Sequence, residues 1–225
     1  MKWRIRISVA RLLHFLYSWP FRTWRLLRWL LWIQSPRGRH SLLRWLCGLI
    51  LLLLDLIPLS LLYEVLTVFL NRKVRPLNPL EILQARSVFG DKFPLHLVAM
   101  NPDSIPVKRK KATAYVSFYT INFYGTIQKS TLIHELVHIW QYERYGSTYI
   151  SEALWGQRWG GGYDYGGIGP LIRYSEGKGL ASFNFEQQAD IIEDYFRWKN
   201  GMPMHWVANI PGVGQMLEKY KNELQ

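Results

Sequence analysis

The apolar and polar positions divide this chain into a strongly apolar front and a longer, mixed remainder. Residues 45–70, WLCGLILLLLDLIPLSLLYEVLTVFL, contain no Lys or Arg. At ~1.5 Å per residue, a helix of that length covers a ~30 Å hydrocarbon core, so the pattern predicts a transmembrane helix. Asp55, Pro58 and Glu64 weaken the span, because a central Asp costs about 2.5–3.5 kcal/mol on insertion scales. A kinked, monotopic insertion and a buried helix of a water-soluble core are the other two readings.

Ahead of this run, residues 1–33 interleave Trp3, Trp19, Trp24, Trp29 and Trp32 with Arg4, Arg6, Arg11, Arg22, Arg25 and Arg28. Arg22, Arg25 and Arg28 recur every third residue, while Trp24, Leu27 and Leu31 fall on another side. This predicts an amphipathic helix in the interface of an anionic membrane. Behind the apolar run, Pro76, Asn78 and Pro79 signal a turn and cap before a short helix ending at Gly90. Residues 93–100 and 112–124 read as strands, the second rich in Tyr, Val, Phe, Thr and Ile. Residues 183–196 place Phe185, Ala189, Ile192 and Phe196 at helical spacing, with Asn184 as a cap. A short final helix follows Pro211 and Gly214. The expected organisation is a basic, Trp-rich segment (1–44), a hydrophobic helix (45–70) and one α+β domain (71–225).

Charge sharpens this division. Residues 1–70 hold 10 of the 28 Lys and Arg against two acids, a net +8, and the remaining 155 residues carry +4. Such basicity also suits a nucleic-acid arm, but the density of Trp and Leu favours lipid and makes nucleic acid an unlikely partner. A cleaved secretory signal is not expected, since the basic lead is long and no small-x-small site follows the apolar run. With four basic residues over 71–90, the positive-inside rule places the N-terminus in the cytoplasm. The domain would then lie on the non-cytoplasmic side of a bacterial inner membrane. The single Cys47 permits no intrachain disulfide. The basic run Lys108-Arg109-Lys110-Lys111 reads as a solvated loop.

The chemistry is concentrated in His134-Glu135-Leu136-Val137-His138, an HExxH motif within an apolar helical pattern. His134 and His138 lie one turn apart on one face, so both imidazoles reach a single metal ion. Glu135 lies about 100° round the helix, close enough to contact a water on that metal. Neutral imidazoles leave the charge of Zn2+ intact, the metal lowers the pKa of its water towards ~7, and a carboxylate accepts the proton. Two histidines and a glutamate that were merely structural would need other partners in so apolar a helix. A third protein ligand is required, and residues 183–196 supply Glu186 and Asp190 on one face. Glu193 and Asp194 are expected to be exposed. Tyr163, Tyr165, Tyr174 and His205 are candidates for steadying a tetrahedral transition state. The first two lie in the Gly-rich run 160–167, which suits a flexible loop over a cleft.

HExxH followed 48 residues later by Glu186-x-x-x-Asp190 resembles the gluzincin arrangement of thermolysin-type peptidases. The order of Arg75-Pro76-Leu77, Glu81-Ile82, Ala85-Arg86-Ser87-Val88-Phe89-Gly90, the HExxH helix and Phe183-Asn184-Phe185-Glu186 is similar to zincin-like domains of bacterial Rhs and Vgr elements. The likeness covers about residues 75–200. It implies a small sheet, an active-site helix and a second ligand helix, with Zn2+ held by His134, His138 and Glu186. Glu135 would be general base and then acid, and Asp190 would orient a ligand histidine. Residues 112–124 would include an edge strand that pairs with substrate, although a hairpin that only packs on the helix fits equally. A metzincin would need Gly and His or Asp where Gln141 and Arg144 stand, and no aspzincin Gly-Thr-x-x-Asp run is present. The expected activity is membrane-anchored, zinc-dependent hydrolysis of a peptide or protein substrate. The opposed reading is a non-catalytic, zinc-containing binding or assembly module of a secretion or toxin-associated system.

Overall fold

The computed structural model describes residues 1–31, 39–110 and 113–225, with backbone alone at 39–41 and 110. Trp32, Ile33, Lys111 and Ala112, which belong to the expected interface helix, basic run and strand, lie outside the described residues. The architecture is α+β, mostly helical around a small mixed sheet.

The sheet has the order β1-β2-β4-β3, where β1 is Arg75–Pro76, β2 Ala99–Asn101, β3 Ala114–Ser117 and β4 Thr120–Phe123. β2 and β4 run parallel, and the outer pairs are antiparallel. β3 and β4 form the expected hairpin, with Phe118 at a left-handed φ of 57° in its turn. The strand expected over 93–100 survives only at its end. A 3-10 turn, Leu95–Leu97, occupies its centre, because Pro94 lacks a ladder donor and Phe93 stacks on Phe89 instead.

Helix α4 is Pro79–Phe89, started by a capping box between Asn78 and Glu81 and stopped at Gly90, whose φ is 74°. Residues 105–110 form a short helix, α5, in what was expected to be loop. The HExxH segment lies in α6, Lys129–Tyr145. Its Leu132, Ile133, Leu136, Val137 and Ile139 are buried against Met100, Ile121 and Phe123 of the sheet and Ala189, Ile192 and Phe196 of a later helix. That helix, α9 (Phe185–Lys199), begins at Asn184 with a second capping box to Gln187. Two unforeseen helices, α7 (Thr148–Trp159) and α8 (Ile168–Tyr174), precede it, and α10 (Val213–Asn222) closes the chain as expected.

The front of the chain departs furthest from expectation. It forms α1 (Lys2–Leu31), α2 (Arg39–Asp55) and α3 (Leu59–Leu70). The single span over 45–70 is broken: Leu42–Asp55 and Leu59–Leu70 meet at 69°, and no single described helix is long and apolar enough to cross a membrane. The break runs through residues 56–58, with Pro58 capping α3, and the acids on either side of it turn inward. Asp55 accepts hydrogen bonds from the backbone N–H of Ser147 (2.7 Å) and from its hydroxyl, and faces Arg22 of α1 at 3.5 Å. Glu64 accepts from the N–H of Tyr119 (2.8 Å) and faces Arg11 at 3.5 Å. Both carboxylates are almost fully buried. Gly146 makes the Asp55 contact possible: its φ is 69°, and a Cβ there would lie 2.5 Å from Asp55 Oδ2.

Helix α1 turns part of its polar set inward while Lys2, Arg6 and Arg28 stay exposed. Arg11 and Arg22 are buried beside Ile7, Phe15 and Leu26. Arg11 donates to the carbonyls of Leu97 (2.9 Å) and Tyr119 (3.2 Å), and Arg25 donates to the carbonyl of Glu143. Trp24, Leu27 and Leu31 point outward with Leu13, Leu16 and Phe21, continuous in character with Leu43, Leu46, Ile50, Leu53, Leu62 and Leu66 of α2 and α3.

Candidate metal centre

Helices α6 and α9 bring the two expected motifs together. One oxygen of Glu186, Oε2, lies 3.4 Å from His134 Nε2 and 3.5 Å from His138 Nε2. The three side chains are buried, and their ligand atoms fall within 4.8 Å of one another. The remaining ring nitrogens are spoken for. His134 Nδ1 is 2.8 Å from Asp190 Oδ1, and His138 Nδ1 is 2.8 Å from Gln141 Oε1. Gln141 uses its amide nitrogen to donate to Phe185 O (2.9 Å) and Gln188 Oε1 (3.0 Å), so its oxygen must be an acceptor. Each Nδ1 thus faces an acceptor and is held as an N–H donor, so that in the neutral rings both Nε2 lone pairs would aim at a common point.

That point fits a divalent cation. Glu186 Oε2 and Glu135 Oε2 are buried without a hydrogen-bond partner, an arrangement costly for carboxylates unless a cation or its water satisfies them. Gln157 donates to the other Glu186 oxygen at 2.8 Å and orients the carboxylate. Two imidazoles and one carboxylate match a catalytic zinc set with one position left for water. Glu135 shares the cleft, about 430 Å³, with both histidines, Tyr163 and Glu186.

The titration behaviour follows from this packing. Burial opposes ionisation of Glu135 and pushes its carboxyl up, against the nearby histidines. Burial would likewise raise Glu186, but His138 and His134 drive it well below the carboxylate range. For His134, desolvation is outweighed by the surrounding carboxylates of Asp190, Glu186 and Glu193, and the imidazolium pKa rises well above its ordinary value.

Sequence reasoning misjudged several neighbours. Glu193 and Asp194, expected to be exposed, are buried. Glu193 Oε2 lies 3.4 Å from His134 Nδ1, and burial notwithstanding, His134, Ser130 and Arg197 hold its carboxyl down at about 2. Asp194 accepts from the backbone of His205 (2.6 Å) and Trp206 (3.0 Å) and from the Tyr165 hydroxyl (2.7 Å). Tyr165 is consequently 2% exposed and committed to Asp194, which removes it from the expected pair of catalytic tyrosines. Tyr163 remains at the site, its ring 6.1 Å from that of His134 and its hydroxyl pushed up to about 12, chiefly by burial. Tyr174 packs on Phe183 instead. His205 borders the cleft on its far side, with Trp206, whose indole donates to Asp190 at 2.5 Å. Gln141, Gln157 and Trp206 were not foreseen. Only Gln141 carried a signal, sitting three residues past His138 on one helix face.

No protein-family model and no solved structure matches the chain. It is similar to the type VI secretion system spike protein VgrG2b of Pseudomonas aeruginosa, 31% identical over 144 residues. The match takes in 56% of this chain but only 13% of that protein. The Vgr side of the resemblance seen in the sequence is thereby supported as a weak homology.

Proposed function

We propose that the chain is a membrane-anchored zinc metallopeptidase with a gluzincin-like site. The observation carrying this reading is the convergence of both Nε2 atoms on an otherwise unpartnered Glu186 oxygen, beside an unpartnered Glu135 oxygen in an open cleft. His134, His138 and Glu186 would hold Zn2+, with Asp190 and Gln141 fixing the two imidazoles. Held there, Zn2+ would supply Lewis acidity, lowering the pKa of a water towards ~7. Glu135 takes a proton from the attacking water at its free Oε2 and returns it to the leaving amine, a role suited by its raised pKa. Tyr163, which lines the same cleft, would donate from its hydroxyl towards a developing oxyanion. The test is hydrolysis of a degenerate peptide library by zinc-loaded protein and by Glu135→Gln.

Membrane anchorage is supported by α1, α2 and α3, in which Arg11, Arg22, Asp55 and Glu64 turn into the protein while many leucines stay exposed. Since α1 is bound along the same body as the metal site, the anchor is proposed to be monotopic, with both termini on one side of a bacterial inner membrane. A second reading, a zinc-stapled assembly module without activity, draws on the similarity to a secretion spike protein. Wild-type inactivity on the library with full zinc occupancy would favour it.

A further inference from the structure

Two recesses between the metal cleft and the apolar surface of the anchor share lining residues with the cleft. A groove of about 400 Å³ is lined by Leu51, Leu54, Leu62 and Leu66 with Phe118 and Ile150, and Ile150 also lines the cleft. A second recess, about 650 Å³, shares Tyr63 and Leu66 with that groove and Tyr115 and Pro106 with the cleft. Its far rim carries Leu70, Asn71, Arg72 and Lys73, where the Lys/Arg-free run ends and cations begin. That change marks a lipid–water boundary, because the exposed leucines before it are unfavourable in water and the cations after it are unfavourable in hydrocarbon.

Resting on the peptidase reading above, we propose that the substrate is a membrane-inserted polypeptide, cut where it leaves the bilayer. The segment would emerge beside α3, pass the recess at Tyr63 and Leu66, and cross Tyr115 into the cleft. The occupant is a polypeptide and not a lipid chain because β3 is the sheet edge and offers main-chain groups. The Tyr149 hydroxyl already occupies the Val116 carbonyl, donating to it at 3.1 Å and accepting from Phe118 N (3.2 Å). Ala114, which lines the cleft with Val116, has no strand on its outer side among the described residues. An acyl chain would leave those groups dry and unpaired. The scissile bond then falls within roughly ten residues of the lipid boundary, an extended length of ~33 Å.

The test uses the full zinc-loaded chain in phosphatidylglycerol-containing vesicles. A degenerate peptide library is supplied free, or fused to a polyleucine transmembrane helix through a spacer of about 3 or about 25 residues. The short-spacer library should be cut at least ~10-fold faster than the free one, with cuts clustered near the helix end. Equal rates, or a preference for the long spacer, would overturn the inference and leave the peptidase reading intact. Hydrolysis of no library would remove the peptidase reading and this inference with it. A binding readout separates the two: in Glu135→Gln protein, a photo-crosslinker in the short spacer should attach at Tyr63, Leu66 or Tyr115. Crosslinks confined to other surfaces would refute the route even if hydrolysis occurs.

Discussion

Asp55, the first acidic residue of the chain, accepts the backbone N–H of Ser147 at the start of α7, 92 positions away. By hydropathy alone Asp55 is a flaw in a membrane span. In the fold it is the pin that ties the apolar helices to the metal domain.

Asp55→Leu separates these two meanings. If the acid were a flaw, leucine would strengthen the anchor. The fold instead requires loss of stability, since Arg22 is left buried without its partner and the Ser147 N–H without an acceptor. Removing one member of a buried pair costs about 3–5 kcal/mol. Thermal unfolding in detergent should show a lower midpoint, and an unchanged or higher midpoint would return Asp55 to the role of a defect.

The contrast shows what was legible in the sequence. His134, Glu135 and His138 could be read because helical spacing fixes their geometry, and Asn78, Gly90 and Asn184 because capping chemistry is local. The inward turn of Asp55, Glu64, Arg11 and Arg22 was not legible, since each partner lies tens of residues away and hydropathy treats every charge as wanting water. The burial of Glu193 and Asp194 was missed for a related reason. Helix α9 is covered on its acidic side by His134 and the backbone of His205 and Trp206, contacts that no helical pattern displays.

Metal binding distinguishes direct ligands from their supports. Asp190→Ala and Gln141→Ala each free one imidazole while leaving the ligands in place, and should weaken zinc by ~10–100-fold. Glu186→Ala removes a ligand and should exceed that loss. Competition titration with a chromophoric chelator gives all three constants. Equal affinity in Glu186→Ala and wild type would move the third ligand to Glu193.

Glu135→Gln keeps the shape of the side chain and removes its basicity. Zinc content should be retained while hydrolysis falls by roughly 10²–10⁴-fold, the range for loss of a positioned general base. Activity within twofold of wild type would show that Glu135 takes no proton.

Acidification should weaken zinc. Without metal, burial disfavours both imidazolium ions, but the surrounding carboxylates raise the His134 and His138 pKa values above normal. Their charged pairing with Glu186 stabilises the metal-free fold below the unfolded histidine pKa and is lost as pH rises through the raised folded values. It also ends, at far lower pH, when Glu186 is protonated below its depressed pKa. Zinc requires both rings neutral, so its binding releases protons and its stabilisation grows as pH rises from about 5 to 8. Melting with and without zinc across that range measures this directly. A constant difference would contradict the assignment of both histidines as ligands.

Topology offers the last prediction, and here the fold changes the outcome expected from sequence. Reading residues 45–70 as one span puts the N-terminus and the metal domain on opposite sides, and makes a protein starting near Asn71 soluble. The structure packs α1 along the domain through Arg11, His14, Arg22 and Arg25, so a monotopic anchor leaves both termini on one side. Reporters fused before Met1 and after Gln225 should therefore label the same compartment, while alkaline carbonate should still fail to extract the full chain if, as proposed, exposed leucines on three helices enter the bilayer. Deleting residues 1–70 should not give a soluble zinc protein. It would strip Arg11 and Glu64 from the backbone of Tyr119, and Asp55 from Ser147. Termini in opposite compartments would restore the broken span, and release by carbonate would reduce the anchor to peripheral binding.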